Sequence, residues 1–160
     1  MRVLLIPGLV VIFDQLSKSW VKNNFQLWES QNILGSLLRF SYVRNTGIAF
    51  GISVGDFGMA VFFLSLLATG FIAWLSWAER KNHPLISTGL AFILGGAMGN
   101  LIDRCSILFT DPYRGVVDFI DVGWGSFRWY TFNIADAAVT IGITLYLLHS
   151  VLIRKPELAE

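Results

Sequence analysis

The hydrophobic positions fall into four long runs separated by polar segments of very unequal length. A helix that crosses a bilayer needs about 20 mostly apolar residues. The runs predict helices over about 3–20, 57–77, 85–102 and 132–153. The first, Val3 to about Trp20, opens apolar and then carries Asp14 and Lys18, while the second, Phe57 to Trp77, has no charged side chain. The third, Leu85 to about Ile102, is rich in small residues, and the fourth, Phe132 to Ile153, holds Asp136 and His149. A fifth apolar patch, Gly115 to Ile120, is too short to span. Between the first two helices, Arg39 and Ser41 alternate against Phe40 and Tyr42, the period of a strand over Leu37 to Val43. Asn45-Thr46-Gly47 then marks a turn, and Ile48 to Ile52 reads as a returning partner strand. The expected fold class is an all-α membrane protein, four transmembrane helices with a small extracytoplasmic β-sheet between helices 1 and 2. No repeat or linker divides the chain, so residues 1–160 are expected to form one domain.

Composition sharpens that picture. Of 160 residues, 54% are apolar and 14% charged, against roughly 25% charged in a soluble domain. Mean hydropathy is +0.61. Such a chain is neither disordered nor able to cover a soluble surface with polar groups. One cysteine excludes a disulfide scaffold, and a net charge of +1 offers no field for nucleic acid. Arg2 followed by an apolar run looks like a secretory signal, but Asp14 and Lys18 interrupt it and no small-x-small cleavage site follows, so a retained first helix is expected. Lys and Arg near helix ends set orientation. They are dense at Arg2, Arg80, Lys81, Arg154 and Lys155, and sparse at Lys22, Arg39, Arg44, Arg114 and Arg128 over two long loops. Both termini and the 78–84 loop are therefore expected in the cytoplasm, with about 22–56 and 105–131 outside. Trp20, Trp28, Trp77, Trp124 and Trp129 fall near helix ends, as an interfacial belt requires.

Polar groups inside the runs are the candidate chemistry, because a charge in a span is costly. Asp14 and Lys18 share a helix face; they read either as an internal ion pair or as part of a site near the outer surface. Gly95 and Gly99 are spaced for close helix approach. Gly96, Asn100 and Arg104 recur four apart, and Asp103 with Arg104 can form a pair or network; this cluster reads either as interhelical glue or as a shell around something reactive. Asn133 and Asp136 share a face at the start of the fourth helix, where the helix dipole favours an anion, yet apolar neighbours surround the acid. Asp118, set in GVVDFID, can fold back against Asp136. Two carboxylates held together share one proton, so one acts as base toward water and the other as acid toward a leaving group. Spacing alone does not choose this pair over Asp14, Asp103 or Asp121. His83 and His149 lack ligand spacing for zinc, Cys105 has no basic partner and reads as a small buried or interfacial residue, and no nucleophile-elbow, P-loop or dinucleotide pattern is present.

The motifs DQLSK at Asp14–Lys18, RNTGIAFG at Arg44–Gly51, GGAMGNLIDR at Gly95–Arg104, VVDFID at Val116–Asp121 and FNIADAAVT at Phe132–Thr140 together resemble the lipoprotein signal peptidases, or signal peptidase II. The resemblance runs in order along nearly the whole chain. It implies a bacterial inner-membrane aspartic endopeptidase that removes the signal peptide from diacylglyceryl-modified prolipoproteins, cutting just before the lipidated cysteine. It carries the catalytic dyad onto Asp118 and Asp136, and supporting roles onto Asp14, Lys18, Asn45, Asn100, Asp103, Arg104 and Asn133. It gives Asp121 no catalytic role. No metal and no cofactor are implied. The expected partners are lipid-modified prolipoproteins and membrane lipid, not nucleic acid, and the chain is expected to work as a monomer. Two other classes stay open on residues alone: a proton-coupled transporter, since intramembrane acids also serve transport, and a non-catalytic membrane subunit. Absent repeats and the gathering of acids toward one face weigh against the transporter.

Overall fold

A computed structural model describes residues 2–47, 58–81, 83–109 and 115–152. In chain order these are α1 (Arg2–Asn24), β1 (Ser30–Leu34), β2 (Leu38–Asn45), α2 (Gly58–Ala78), α3 (Pro84–Arg104), a 3₁₀ turn (Cys105–Leu108), β3 (Val116–Trp124), β4 (Phe127–Arg128) and α4 (Ile134–Leu152). The four expected helices form within a few residues of their sequence limits. Three segments, Gly58–Ala78, Pro84–Leu108 and Ile134–Val151, are long and apolar enough to cross a membrane. α1 is as long, but Asp14 and Lys18 in its middle and Lys22 near its end lower its hydropathy. Helix faces carrying Leu5, Phe13, Leu16, Leu64, Leu67, Trp74 and Leu147 are exposed, so the apolar surface points outward as well as inward.

α3 is the central helix and packs against α1, α2 and α4. Its glycines make that possible. A Cβ at Gly95 would come within 2.7 Å of Val10 Cβ on α1, and one at Gly99 within 2.7 Å of Asp14 Oδ2. Gly96 turns instead toward α4, where a Cβ would collide with the Ala135 carbonyl. The expected small-residue approach is therefore present twice, on two faces of one helix.

The sheet departs from expectation. It is antiparallel, four-stranded and ordered β1-β2-β3-β4, so half of it comes from the segment between α3 and α4 rather than from between helices 1 and 2 alone. The Gly115–Ile120 patch is not a mere fold-back: it is the start of β3, whose Val117 and Asp118 pair with Arg44 and Val43 of β2. The expected partner strand over Ile48–Ile52 lies outside the described residues, as do Arg114, Arg154 and Lys155. The first half of β3 is buried on both faces, which erases the polar–apolar alternation that reveals a strand. One face meets Val21, Phe25 and Tyr42 through Val117 and Phe119, forming the core that fastens the end of α1 to the sheet. Trp20, Phe40 and Phe119 continue it in edge-to-face contacts of 6.0 and 5.7 Å.

Candidate functional site

The site forms where the N-terminus of α4, the C-terminal half of α3 and the start of β3 converge. Asn133 is the residue before α4, and its side chain accepts the Asp136 N–H at 2.9 Å. Asp136, three residues on, accepts the Asn133 N–H at 3.2 Å. This reciprocal pair satisfies two helix-end donors and fixes the Asp136 carboxylate. Its other oxygen accepts from Asn100 Nδ2 at 2.8 Å. Asn133 Nδ2 donates to Asp118 Oδ1 at 2.7 Å and to Asn100 Oδ1 at 3.1 Å. Asn100 and Asn133 thus tie both acids into one network, and both acids line one cavity of about 530 Å³ with Asn45, Asn100 and Arg104.

Asp118 is 3% exposed. Burial, reinforced by the nearby Asp136 carboxylate, pushes its carboxyl up to about 7, against the hydrogen bonds from Asn133 and Asn45 and the charge of Lys18. The Asp118 carboxyl can therefore hold a proton close to neutral pH. Such an arrangement can give a proton to a leaving group and take one from water.

Beneath the acids lies a buried ion cluster. Lys18, 0% exposed, contacts Asp14 and Asp103 at 2.8 Å each and donates to Asn100 Oδ1 at 2.9 Å. Asp14 also accepts the Ala135 N–H at 2.9 Å, a bond from α1 to the first turn of α4. Asp103 accepts the Val117 N–H at 3.4 Å, reaching β3. None of these three charged residues lines the cavity. Asp14 and Lys18 do form an internal ion pair, with Asp103 as a third member. Of the pair or network open to Asp103 and Arg104, no pair between the two is present among the described residues; adjacent helix residues diverge by about 100°, and Arg104 turns to the cavity. Its Nε is buried with no hydrogen-bond partner among the described residues. Asn45 holds the Gly47 N–H at 3.0 Å beside Asp118.

Asp121 lies three residues beyond Asp118 and so on the opposite face of β3. There it pairs with Arg128 at 2.7 Å and accepts from Ser41 at 3.3 Å, a sheet-stabilising role that leaves Asp118 as the acid facing Asp136. Cys105, half-buried and unpaired, follows the last turn of α3. His83 and His149 meet in a tilted contact, 4.6 Å between ring centroids, at the far end of the bundle, a pairing that their 66-residue separation hid. Sequence reasoning also missed the hydroxyls of Ser65, Thr69 and Thr140 in the cavity wall; back-bonding spacing on their helices was the available signal.

Residues 6–152 match a family model described as signal peptidase (SPase) II. Among curated relatives, the lipoprotein signal peptidase of Shewanella baltica strain OS155 is 41% identical over 155 residues, covering 95% of this chain and 86% of the relative. That of Shewanella oneidensis strain MR-1 is 41% identical over 145 residues, covering 89% and 81%. Two solved structures of a bacterial membrane enzyme, determined by the in meso method at 1.9 and 2.3 Å, superpose with TM-scores of 0.74 and 0.72 at 28% and 29% identity. They cover 96% and 99% of this chain and 93% and 94% of theirs.

Proposed function

The chain belongs to the signal peptidase II family, and from that premise we propose that it is a bacterial inner-membrane aspartic endopeptidase acting on diacylglyceryl-modified prolipoproteins. The observation that carries the aspartic mechanism is the Asn-bridged pair: two acids on one cavity, one of them raised to about 7 by burial and by its neighbour. Water held between Asp118 and Asp136 loses a proton to the pair as its oxygen adds to the scissile carbonyl. The carbonyl oxygen gains the electron pair. Arg104 and the Asn side chains supply donors to that developing charge, in a site where few waters compete. Collapse of the tetrahedral intermediate breaks the C–N bond, and the dyad returns a proton to the leaving amine. The signal peptide ends in a carboxylate, and the mature protein begins with the lipidated cysteine. No covalent intermediate and no metal enter this route.

The membrane setting follows the same reading. α1 serves as a fourth span, its charges neutralised inside the bundle by the Asp14–Lys18–Asp103 cluster. The sheet and the acids lie at the outer face. The Arg80–Lys81 turn and both termini lie in the cytoplasm, and the protein works as a single-domain monomer. A lipidated substrate then reaches the cavity sideways from the bilayer.

Purified protein in detergent or lipid should cleave a diacylglyceryl-modified prolipoprotein immediately before the modified cysteine, at an unchanged rate with a strong chelator present. Mass spectrometry of both products reads the cut. A rate lost on chelation and restored by one added metal would turn the acids from a dyad into ligands.

The surrounding amides and guanidinium are expected to serve chemistry more than folding. Replacing Asn100, Arg104 or Asn133 by Ala should lower turnover by roughly 10²–10³ where a charge-stabilising donor is lost. A typical interhelical hydrogen bond in a membrane contributes only about 0.6 kcal/mol to stability. Melting curves and turnover on the same preparations separate the two, and activity that simply follows the folded fraction would reduce these residues to glue.

A further inference from the structure

Along α2 and the turn of α4 after Asp136 the cavity changes character. Its wall there includes Ser65 and Thr69 of α2 and Thr140 of α4. Each has committed its only hydroxyl hydrogen to its own helix. Ser65 Oγ donates to the Val61 carbonyl at 2.7 Å, Thr69 Oγ1 to the Ser65 carbonyl at 2.7 Å, and Thr140 Oγ1 to the Asp136 carbonyl at 2.9 Å. What each presents to the cavity is therefore lone pairs alone, and the donated bond polarises the oxygen into a better acceptor. Thr140 lies one helical turn, about 6 Å, from Asp136. Of the donors of the cavity, Asn100 bonds Asp136 at 2.8 Å and Asn45 bonds Asp118, while Arg104, Tyr130 and Thr131 line the same space.

A wall of acceptors selects the conformation of what binds it. The C-terminal end of a peptide helix offers unpaired carbonyls, which this wall cannot satisfy. An extended segment offers one free N–H per residue, and each needs a partner where lipid excludes water. Resting on the peptidase reading above, we infer that Thr69 and Thr140, supported by Ser65, bind backbone N–H groups of the residues just before the scissile bond. The signal peptide is thereby held unwound and extended over its last two or three residues as it enters the dyad. These hydroxyls are substrate-binding groups that determine the conformation cleaved, not members of the acid–base machinery.

The test replaces a backbone N–H by an ester oxygen, one position at a time, at each of the three residues before the cut in a synthetic diacylglyceryl-modified peptide. Wild-type protein should lose roughly three- to tenfold in kcat/KM at one or more positions, the worth of a neutral hydrogen bond. The same ester should cost nothing further in Thr69→Val or Thr140→Val, whereas Thr→Ser at these positions, which keeps the hydroxyl, should retain the wild-type response. Esters tolerated at all three positions, or penalties undiminished in both Val variants, overturn the inference. Failure to cleave the parent amide peptide would overturn the peptidase reading itself, and this inference with it.

Discussion

Asp118→Asn and Asp136→Asn are each expected to reduce cleavage by at least about 10³-fold, since acid–base catalysis alone contributes 10²–10⁴, while leaving the protein folded. Asn keeps the shape of Asp and can still meet Asn133 or Asn100, but it neither holds nor releases the proton. The two variants should differ in stability. With the Asp118 carboxyl raised to about 7, the folded protein keeps a proton that the unfolded chain releases near the ordinary carboxylate range. Stability from that proton is fully present below that range and is lost as pH rises through about 7. Asp118→Asn, which never buries a charge, should therefore melt higher than wild type at pH 8–9, with the difference shrinking as pH falls toward about 4. Asp136→Asn should melt lower, because its carboxylate closes the N-terminus of α4 on Asn133. Substantial turnover by either folded variant would remove that residue from the mechanism.

Lys18→Met is expected to give the largest loss of stability. It leaves Asp14 and Asp103 buried without their shared cation. Breaking a buried pair typically costs about 3–5 kcal/mol, a drop on the order of 10 °C for a chain of this size. Asn100 also loses one of the two donors to its Oδ1, so turnover should fall beyond the loss of folded protein. Replacing all three together, Asp14→Asn, Lys18→Met and Asp103→Asn, should recover much of the melting temperature, because a neutral cluster no longer buries charge. Thermal melts of the two proteins check it. A melting point for Lys18→Met within a degree or two of wild type would mean that the acids find another partner.

The helices were legible because their apolar runs are long and each begins and ends at a break in composition. The shared face of Asn133 and Asp136 followed from three-residue spacing, and the two close approaches of α3 from its glycines. β3 was obscured because both of its faces are covered where it meets α1 and the cavity. β1 reads Ser-Gln-Asn-Ile-Leu and is exposed along its whole length, so no alternation betrays it. The partner of Asp103 was hidden for another reason. Lys18 is 85 residues away, and a local pattern offers the adjacent Arg104 first. Likewise, the convergence of Asp118 and Asp136 on one cavity depends on two Asn bridges from different elements, which spacing along the chain cannot express.

The proton shared by the dyad is the centre of the account, and the pH dependence of kcat/KM for a diacylglyceryl-modified prolipoprotein, measured from pH 5 to 9 on one preparation, addresses it most directly. This quantity reports the essential groups of the free enzyme. The expected profile turns downward near pH 7 and then falls about tenfold per pH unit, as the last proton of the pair is lost. A rate that stays level or climbs from pH 7 to 9 would contradict a mechanism in which Asp118 and Asp136 work by holding one proton between them.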